Sequence, residues 1–194
     1  KTARGRGILN VAHSNGYINP EPLKALCRYM DAVNIDLKGF SEDFYGKLCE
    51  GELAPVLLTI KTLKRSGVWV EITNLVIEGY NDDEKMVREM CRWVVKEVGR
   101  DVPVHFSRFY PMYKLTGVSP TSVRTLERSR DAGFEAGLQF AYIGNVPGHP
   151  GENTYCPTCR TMLIQRSGYN VLNVTLKNGT CPSCGTKIGG IWAT

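Results

Sequence analysis

Strand-like and helix-like segments alternate through the first 150 residues, at roughly 30 residues per unit, and this alternation constrains the fold more than any other feature. Short apolar runs at Ile8–Ala12, Ala32–Asp36, Val68–Ile77, Val102–Phe106 and Gln139–Ile143 read as strands; Val68–Ile77 is rich in β-branched residues. Helical patterns fall between them. Pro20–Met30 begins with proline; Glu52–Ser66 carries Val56, Ile60 and Leu63 on one face and stops at Gly67. A third helix follows the capping stretch Asn81-Asp82-Asp83, with Val87, Met90, Val94 and Val98 at helical spacing, and ends at Gly99. The fourth is predicted over Thr121–Ala136, capped near Ser119 with Pro120 in its first turn. Strands joined by crossover helices make a parallel α/β sheet.

After Gly144 the texture changes. The stretch 145–154 is dense in Gly and Pro and reads as a linker, dividing the chain into a main unit over 1–150 and a small one over 151–194. The small unit has short strand-like runs at Met162–Gln165 and Asn170–Leu176 and a turn at Asn178-Gly179. It also carries two Cys-x-x-Cys pairs, Cys156/Cys159 and Cys181/Cys184, with 21 residues between the inner cysteines. Two intervening residues let one tight turn offer both thiolates to one ion, and two such turns complete a tetrahedron, the pattern of a zinc ribbon. Mononuclear iron, two disulfides or a redox pair are the other readings of this spacing. A site closed by four thiolates has no open coordination position, so its expected role is structural, with the metal supplying most of the folding energy of so small a unit. Gly185 suits a left-handed turn after the second pair; Arg160 holds the matching place in the first and departs from that preference. Cys27, Cys49 and Cys91 lack ligand spacing; Cys27 and Cys91 fall within amphipathic helices and read as buried apolar residues.

Composition excludes several classes. With 42% hydrophobic and 22% charged residues in 194, the chain is neither disordered nor fibrous. It has no apolar run long enough to span a bilayer and no signal-peptide segment. Seven cysteines, four of them in metal-type pairs, point to a reducing compartment and a cytoplasmic location. The net charge of +5 is too weak to indicate nucleic acid by itself; the tail holds four basic residues against Glu152 alone, without the aromatic–basic interleaving of a stacking platform. The chain begins at Lys1 rather than Met, which suggests a fragment or a processed product.

In parallel α/β folds ligands bind at the carboxyl ends of strands. The polar groups expected there are His13, Ser14 and Asn15; Asp36 and Lys38; Asn74 and Glu78; His105, Ser107 and Arg108; and Asn145. Asp36 and Lys38 stand two apart, so extended backbone places both on one face, an acid and a base suited to a zwitterion; a plain surface ion pair is the alternative. No G-x-G-x-x-G, P-loop, G-x-S-x-G or H-E-x-x-H occurs.

Several stretches carry a resemblance: His13–Ile18 (HSNGYI), Val33–Phe40 (VNIDLKGF), Thr73–Ile77 (TNLVI), His105–Pro111 (HFSRFYP) and Tyr142–Gly148 (YIGNVPG). In order and content they closely resemble radical S-adenosylmethionine enzymes of the AmmeMemoRadiSam type, relatives of pyruvate formate-lyase activating enzyme, and the two-knuckle tail resembles theirs. The resemblance implies an incomplete (β/α) TIM-like barrel of about five parallel strands with a small C-terminal zinc ribbon. It implies an activity in which a [4Fe–4S] cluster cleaves S-adenosylmethionine to a 5′-deoxyadenosyl radical that abstracts hydrogen from a small-molecule or protein substrate. It assigns Ser14, Asn15, Asp36 and Lys38 to the S-adenosylmethionine region, with Lys38 toward the methionyl carboxylate, and Val76 and Tyr110 to the adenosine. Memo-like and AMMECR-like proteins are the implied companions. The sequence departs from the family pattern at His13, where activating enzymes carry Asp, and at Tyr110, where they carry His. It also lacks the cluster-binding Cys-x-x-x-Cys-x-x-Cys and the Gly-rich segment that grips the methionine amino group. The expectation is therefore the C-terminal portion of an enzyme, inert alone. A ribbon protein binding nucleic acid or protein, and a non-catalytic half-barrel binding module, are the competing readings.

Overall fold

The computed structural model describes residues 2–192. Five strands form one parallel sheet in sequence order: β1 (Val11–Ser14), β2 (Ala32–Asp36), β3 (Trp69–Val76), β4 (Val104–Arg108) and β5 (Ala141–Gly144). The helices between them are α1 (Pro20–Cys27), a short α2 (Glu42–Phe44) that runs into one turn of π-helix (Tyr45–Cys49), α3 (Leu53–Arg65), α4 (Glu84–Glu97) and α5 (Val123–Glu135). A second, antiparallel sheet follows: β6 (Thr154–Tyr155), β7 (Met162–Ser167) and β8 (Asn170–Val174).

The helices cover one face of the parallel sheet. β3 alternates strictly, with Val70, Ile72 and Val76 buried toward the helices. Against them pack Val56, Ile60 and Leu63 of α3, then Val87, Met90, Cys91 and Val94 of α4 and Leu126 of α5, all from one core. The spacing of these residues is the helical period that buries a single stripe. Burial pushes the Cys91 thiol up to about 12, so it acts as the inert apolar residue expected; Cys27 and Cys49 are half-buried. The small sheet has its own cluster, Leu163, Ile164, Ile188, Cys156 and Cys181, which is completed by Phe140 immediately before β5.

Element boundaries differ from the sequence expectation for local reasons. β1 starts at Val11, not Ile8, because Asn10 is held crosswise by Asp31: the Asn10 amide donates to the carboxylate (2.7 Å) and the Asn10 carbonyl accepts from the Asp31 amide (2.9 Å). α5 starts at Val123, capped by Ser122 rather than near Ser119. Thr121 is fully buried, donates its hydroxyl to the Val76 carbonyl (2.5 Å) and accepts the Phe109 amide (3.0 Å), so it ties strands together and cannot enter the helix. Ser122 Oγ accepts the Thr125 amide instead (3.2 Å). Strand β6 and the π-turn carry too few residues to show a period and were not anticipated. Among the described residues no helix is long and apolar enough to cross a membrane.

Because Ser122 satisfies an orphan N–H of α5 and exposed Ser119 does not, Ser122→Ala is expected to lower stability by about 1 kcal/mol while Ser119→Ala stays within about 0.5 kcal/mol. Urea unfolding of the two variants checks this.

Candidate functional site

The carboxyl ends of β1 and β2 bring three ionisable side chains into one contact chain. Asp36, at the last position of β2, takes His13 Nε2 on one oxygen (2.8 Å) and Lys38 Nζ on the other (3.0 Å). Burial alone would push the Asp36 carboxyl up; the hydrogen bonds from His13 and Lys38, with their charges, outweigh it and hold the group below its ordinary value. Lys38 is held from behind. Its amide lies 3.3 Å from the Tyr45 hydroxyl, and its carbonyl accepts from Asn81 Nδ2 (2.6 Å). Gly39 is required next: a Cβ there would lie 2.5 Å from the Phe44 ring, which packs directly on the backbone after Lys38. A cleft of about 260 Å³ opens beside these groups, with Asn15, Tyr17, Asp36, Lys38, Tyr45 and Cys49 in its wall. Burial raises both the Tyr45 phenol and the Cys49 thiol, so both stay protonated at neutral pH.

The structure brings Asn15, Asp36 and Lys38 to one cleft. Ser14 and Asn15 shape the turn beneath it, each side-chain oxygen accepting an amide two residues on (Gly16, 3.1 Å; Tyr17, 3.0 Å). Val76 is not brought there: its side chain is wholly buried on the helix face of β3. Tyr110 stands apart after β4, its ring 5.1 Å from the Arg108 guanidinium and its hydroxyl donating to the Asn145 carbonyl (3.3 Å).

Two groups expected at the strand ends are used otherwise. Glu78 caps α5, accepting the Ser122 amide (3.1 Å) and the Thr125 hydroxyl (2.6 Å), the latter being the main cause of its lowered pKa. His105 is the second residue of β4, three residues before its carboxyl end, and lines the cavity on the sheet's open side. Sequence reasoning missed Tyr45 and Asn81. Asn81 appeared only as part of a capping run, yet it is buried and grips Lys38, Leu75 and Ile77 by three hydrogen bonds.

In the tail, Sγ of Cys156, Cys159, Cys181 and Cys184 all lie within 4.8 Å of one another, the one group among the described residues that could hold a metal. The cross-pair separations Cys156–Cys184 and Cys159–Cys181 are both 3.6 Å, against about 3.8 Å for the edge of a tetrahedron with metal–sulfur bonds of about 2.3 Å. The donor set therefore fits one mononuclear ion. The two knuckles repeat each other. The Cys156 and Cys181 amides each donate to a carbonyl five residues on, Thr161 and Thr186, at 2.9 Å. Thr161 and Thr186 hydroxyls each lie 3.2 Å from the outer thiol, and Thr186 donates to Thr158 across the gap (3.0 Å). Contact with Thr161, hydroxyl and amide, brings the Cys159 thiol down to about 6, so the thiolate needed for metal binding is favoured.

No family model matches the chain. It is 50% identical over 188 residues to protein MJ0808 of Methanocaldococcus jannaschii, a match covering 96% of this chain and 56% of that protein, so the chain spans little more than half of this relative. Among solved structures it is similar to a domain of the pyruvate-formate lyase-activating enzyme from Bacteroides vulgatus (TM-score 0.65, 19% identity, 75% of this chain and 86% of that one). It is also similar to Streptococcus suis SuiB bound to S-adenosylmethionine (TM-score 0.59, 9% identity, 74% and 34%). These likenesses show a shared fold, a parallel α/β sheet with its crossover helices.

The His13 contact is expected to matter to Asp36 in a defined direction. His13→Ala should raise the Asp36 pKa, read by carbon-detected NMR titration. Asp36→Asn should destabilise at neutral pH. That difference should vanish as pH falls through the folded pKa of Asp36, because a depressed carboxyl stabilises only above its unfolded value.

Proposed function

We propose that this chain is the C-terminal portion of a radical S-adenosylmethionine enzyme, related to activating enzymes, in which the Asp36–Lys38 cleft binds S-adenosylmethionine and the four-cysteine knuckles hold a structural zinc ion. The observation that carries this reading is the cleft itself: an ionised carboxylate and an ammonium, side by side at the end of a parallel strand, with backbone and side-chain groups fixing both. Such a pair matches the opposite charges of an α-amino acid head group, and the same fold in SuiB is described bound to S-adenosylmethionine. Lys38, which can turn from Asp36 to a ligand carboxylate, would orient the methionyl end; Asn15 would add a hydrogen bond from the β1 turn. Val76 and Tyr110, assigned to the adenosine by resemblance, lie on β3 and after β4, the next strands along the same sheet.

The residues present do not form a site for a four-iron cluster. Cys27, Cys49 and Cys91 belong to no ligand group, and Cys-x-x-x-Cys-x-x-Cys does not occur in the sequence. In the proposed enzyme that cluster would be held by residues outside this chain and would supply the reducing electron. The greater length of the Methanocaldococcus relative supports such additional residues. At the knuckles, zinc is favoured because it is redox-inert and the site is closed.

The test is the polypeptide encoded by the whole native reading frame, reconstituted anaerobically with iron and sulfide. It should form a [4Fe–4S] cluster and release 5′-deoxyadenosine when reduced, whereas the 194-residue chain should not. Lys38→Ala should weaken S-adenosylmethionine binding about tenfold with the cluster signal unchanged, the loss of one charge-assisted contact. A reading frame without a cluster motif, or a loaded cluster that leaves S-adenosylmethionine intact, overturns the reading. Elemental analysis of the 194-residue chain should find about one zinc, and stripping it should melt β6–β8 while the parallel sheet persists.

A further inference from the structure

The face of the parallel sheet turned away from the helices is polar. Opposite the buried Val70 and Ile72, β3 presents Trp69, Glu71 and Thr73; the neighbouring strands add Asn34 on β2, His105 on β4 and Tyr142 on β5. A parallel sheet covered on both sides is apolar on both. Here the small sheet and the segment Ile188–Trp192 lie across this face and leave a cavity of about 730 Å³.

Inside it Glu71 and His105 form a pair. Glu71 Oε2 lies 2.8 Å from His105 Nε2, and Oε1 accepts Trp69 Nε1 at 3.2 Å. The imidazole stacks on Tyr142, centroids 4.9 Å apart. Burial would raise the Glu71 carboxyl, but His105, then Trp69 and the charge of Arg166, hold it below its ordinary value. An ionised carboxylate only accepts, so Nε2 carries the proton in this contact. Nδ1 has no hydrogen-bond partner among the described residues.

We propose that this cavity is a binding site for a protonated amine or guanidinium group, held between the Glu71–His105 pair and the Trp69 and Tyr142 rings. Three carboxylates line the cavity, Asp31, Glu71 and Glu152, against the single guanidinium of Arg166. That guanidinium donates through Nη1 to Thr154 Oγ1 (2.8 Å) and the Glu152 carbonyl (3.2 Å), both uncharged acceptors, so the carboxylates outnumber the one guanidinium in this wall. Aromatic faces beside a carboxylate favour a cation. Arg166 itself sits 5.8 Å from the Tyr142 ring, which shows that this wall accommodates a guanidinium. The site is separate from the Asp36–Lys38 cleft and stands whether or not that cleft binds S-adenosylmethionine.

Calorimetric titration of the 194-residue chain with butylguanidine and butylamine, against butyrate and butanol, tests this without S-adenosylmethionine or a cluster, so its failure is separable from that of the enzyme reading. The two cations should bind in preference to butyrate and butanol. Glu71→Gln should weaken them about tenfold, and Arg166→Gln, which removes the competing positive charge, should strengthen them. Cation affinity that does not rise in Arg166→Gln overturns the proposal. Absence of cation binding, preference for butyrate, or affinity unchanged by Glu71→Gln overturns the proposal.

Discussion

Strand alternation in the five-stranded sheet decides everything that lies on it. Each strand sends successive side chains to opposite faces, and in β3 the division is complete: Val70, Ile72 and Val76 enter the helix-covered core, while Trp69, Glu71 and Thr73 point the other way. A shift of register by one residue would carry Glu71 and His105 into the core and Ile72 and Val104 into the cavity. The apolar face therefore fixes the polar one. Burying Ile72, Val104 and Phe106, none of them measurably exposed, at about 2 kcal/mol or more for each side chain, holds the carboxylate–imidazole pair in place far more firmly than its own hydrogen bond could.

Where the strands end, a second constraint takes over: buried polar groups must be paired. Asn81, Thr121 and Asn74 sit deep behind the strand ends and satisfy backbone groups of the neighbouring strands, although Asn74 Oδ1 itself is buried without a partner among the described residues. Asn74 Nδ2 donates to the Leu37 carbonyl (2.8 Å), Asn81 Nδ2 to those of Lys38 (2.6 Å) and Leu75 (2.8 Å), and Thr121 to that of Val76 (2.5 Å). Each hydrogen bond contributes on the order of 1 kcal/mol, and leaving its buried partner unpaired would cost more. The loop carrying Lys38 is thus anchored to β3, and the Asp36–Lys38 pair inherits the rigidity of the core although it lies at the surface.

This division explains what could be read in the sequence. The strand–helix order was legible because apolar period is a local property, and so was the metal site, because both members of each cysteine pair are local. The Asp36–Lys38 pair was legible for the same reason. What was hidden depends on contacts across sequence. Glu71 and His105 stand 34 residues apart; Glu71 looked ordinary and His105 read as a strand-end group until the register of β3 and β4 set them side by side. Glu78 looked like a rim carboxylate because its use as a cap depends on α5, 44 residues away. Thr121 looked like a helix start because its partner, the Val76 carbonyl, belongs to another strand. The polar alternation Trp69–Glu71–Thr73 within an otherwise β-branched run was the one local sign of a second, wetter face.

Arg160 shows how the small unit is joined to the large one. Its backbone takes φ of 61°, the conformation that Gly185 takes at 73° in the matching knuckle. For a side chain with a Cβ that conformation costs about 1–2 kcal/mol, and glycine would avoid the cost. The arginine, however, reaches the ring of Phe134 on α5, its guanidinium 5.5 Å from the centroid, where Arg130 already lies 4.7 Å away. Stacking a cation on an aromatic face returns roughly 0.5–2 kcal/mol, enough to offset the backbone strain. Phe140, shared between β5 and the ribbon cluster, adds an apolar contact nearby. The knuckle with arginine is thus the one tied to α5, while the knuckle with glycine is held through Cys181 and Ile188 in the small apolar cluster. The small unit thereby becomes a wall of the cavity beneath Glu71 and His105, although none of its four clustered cysteines lines that cavity.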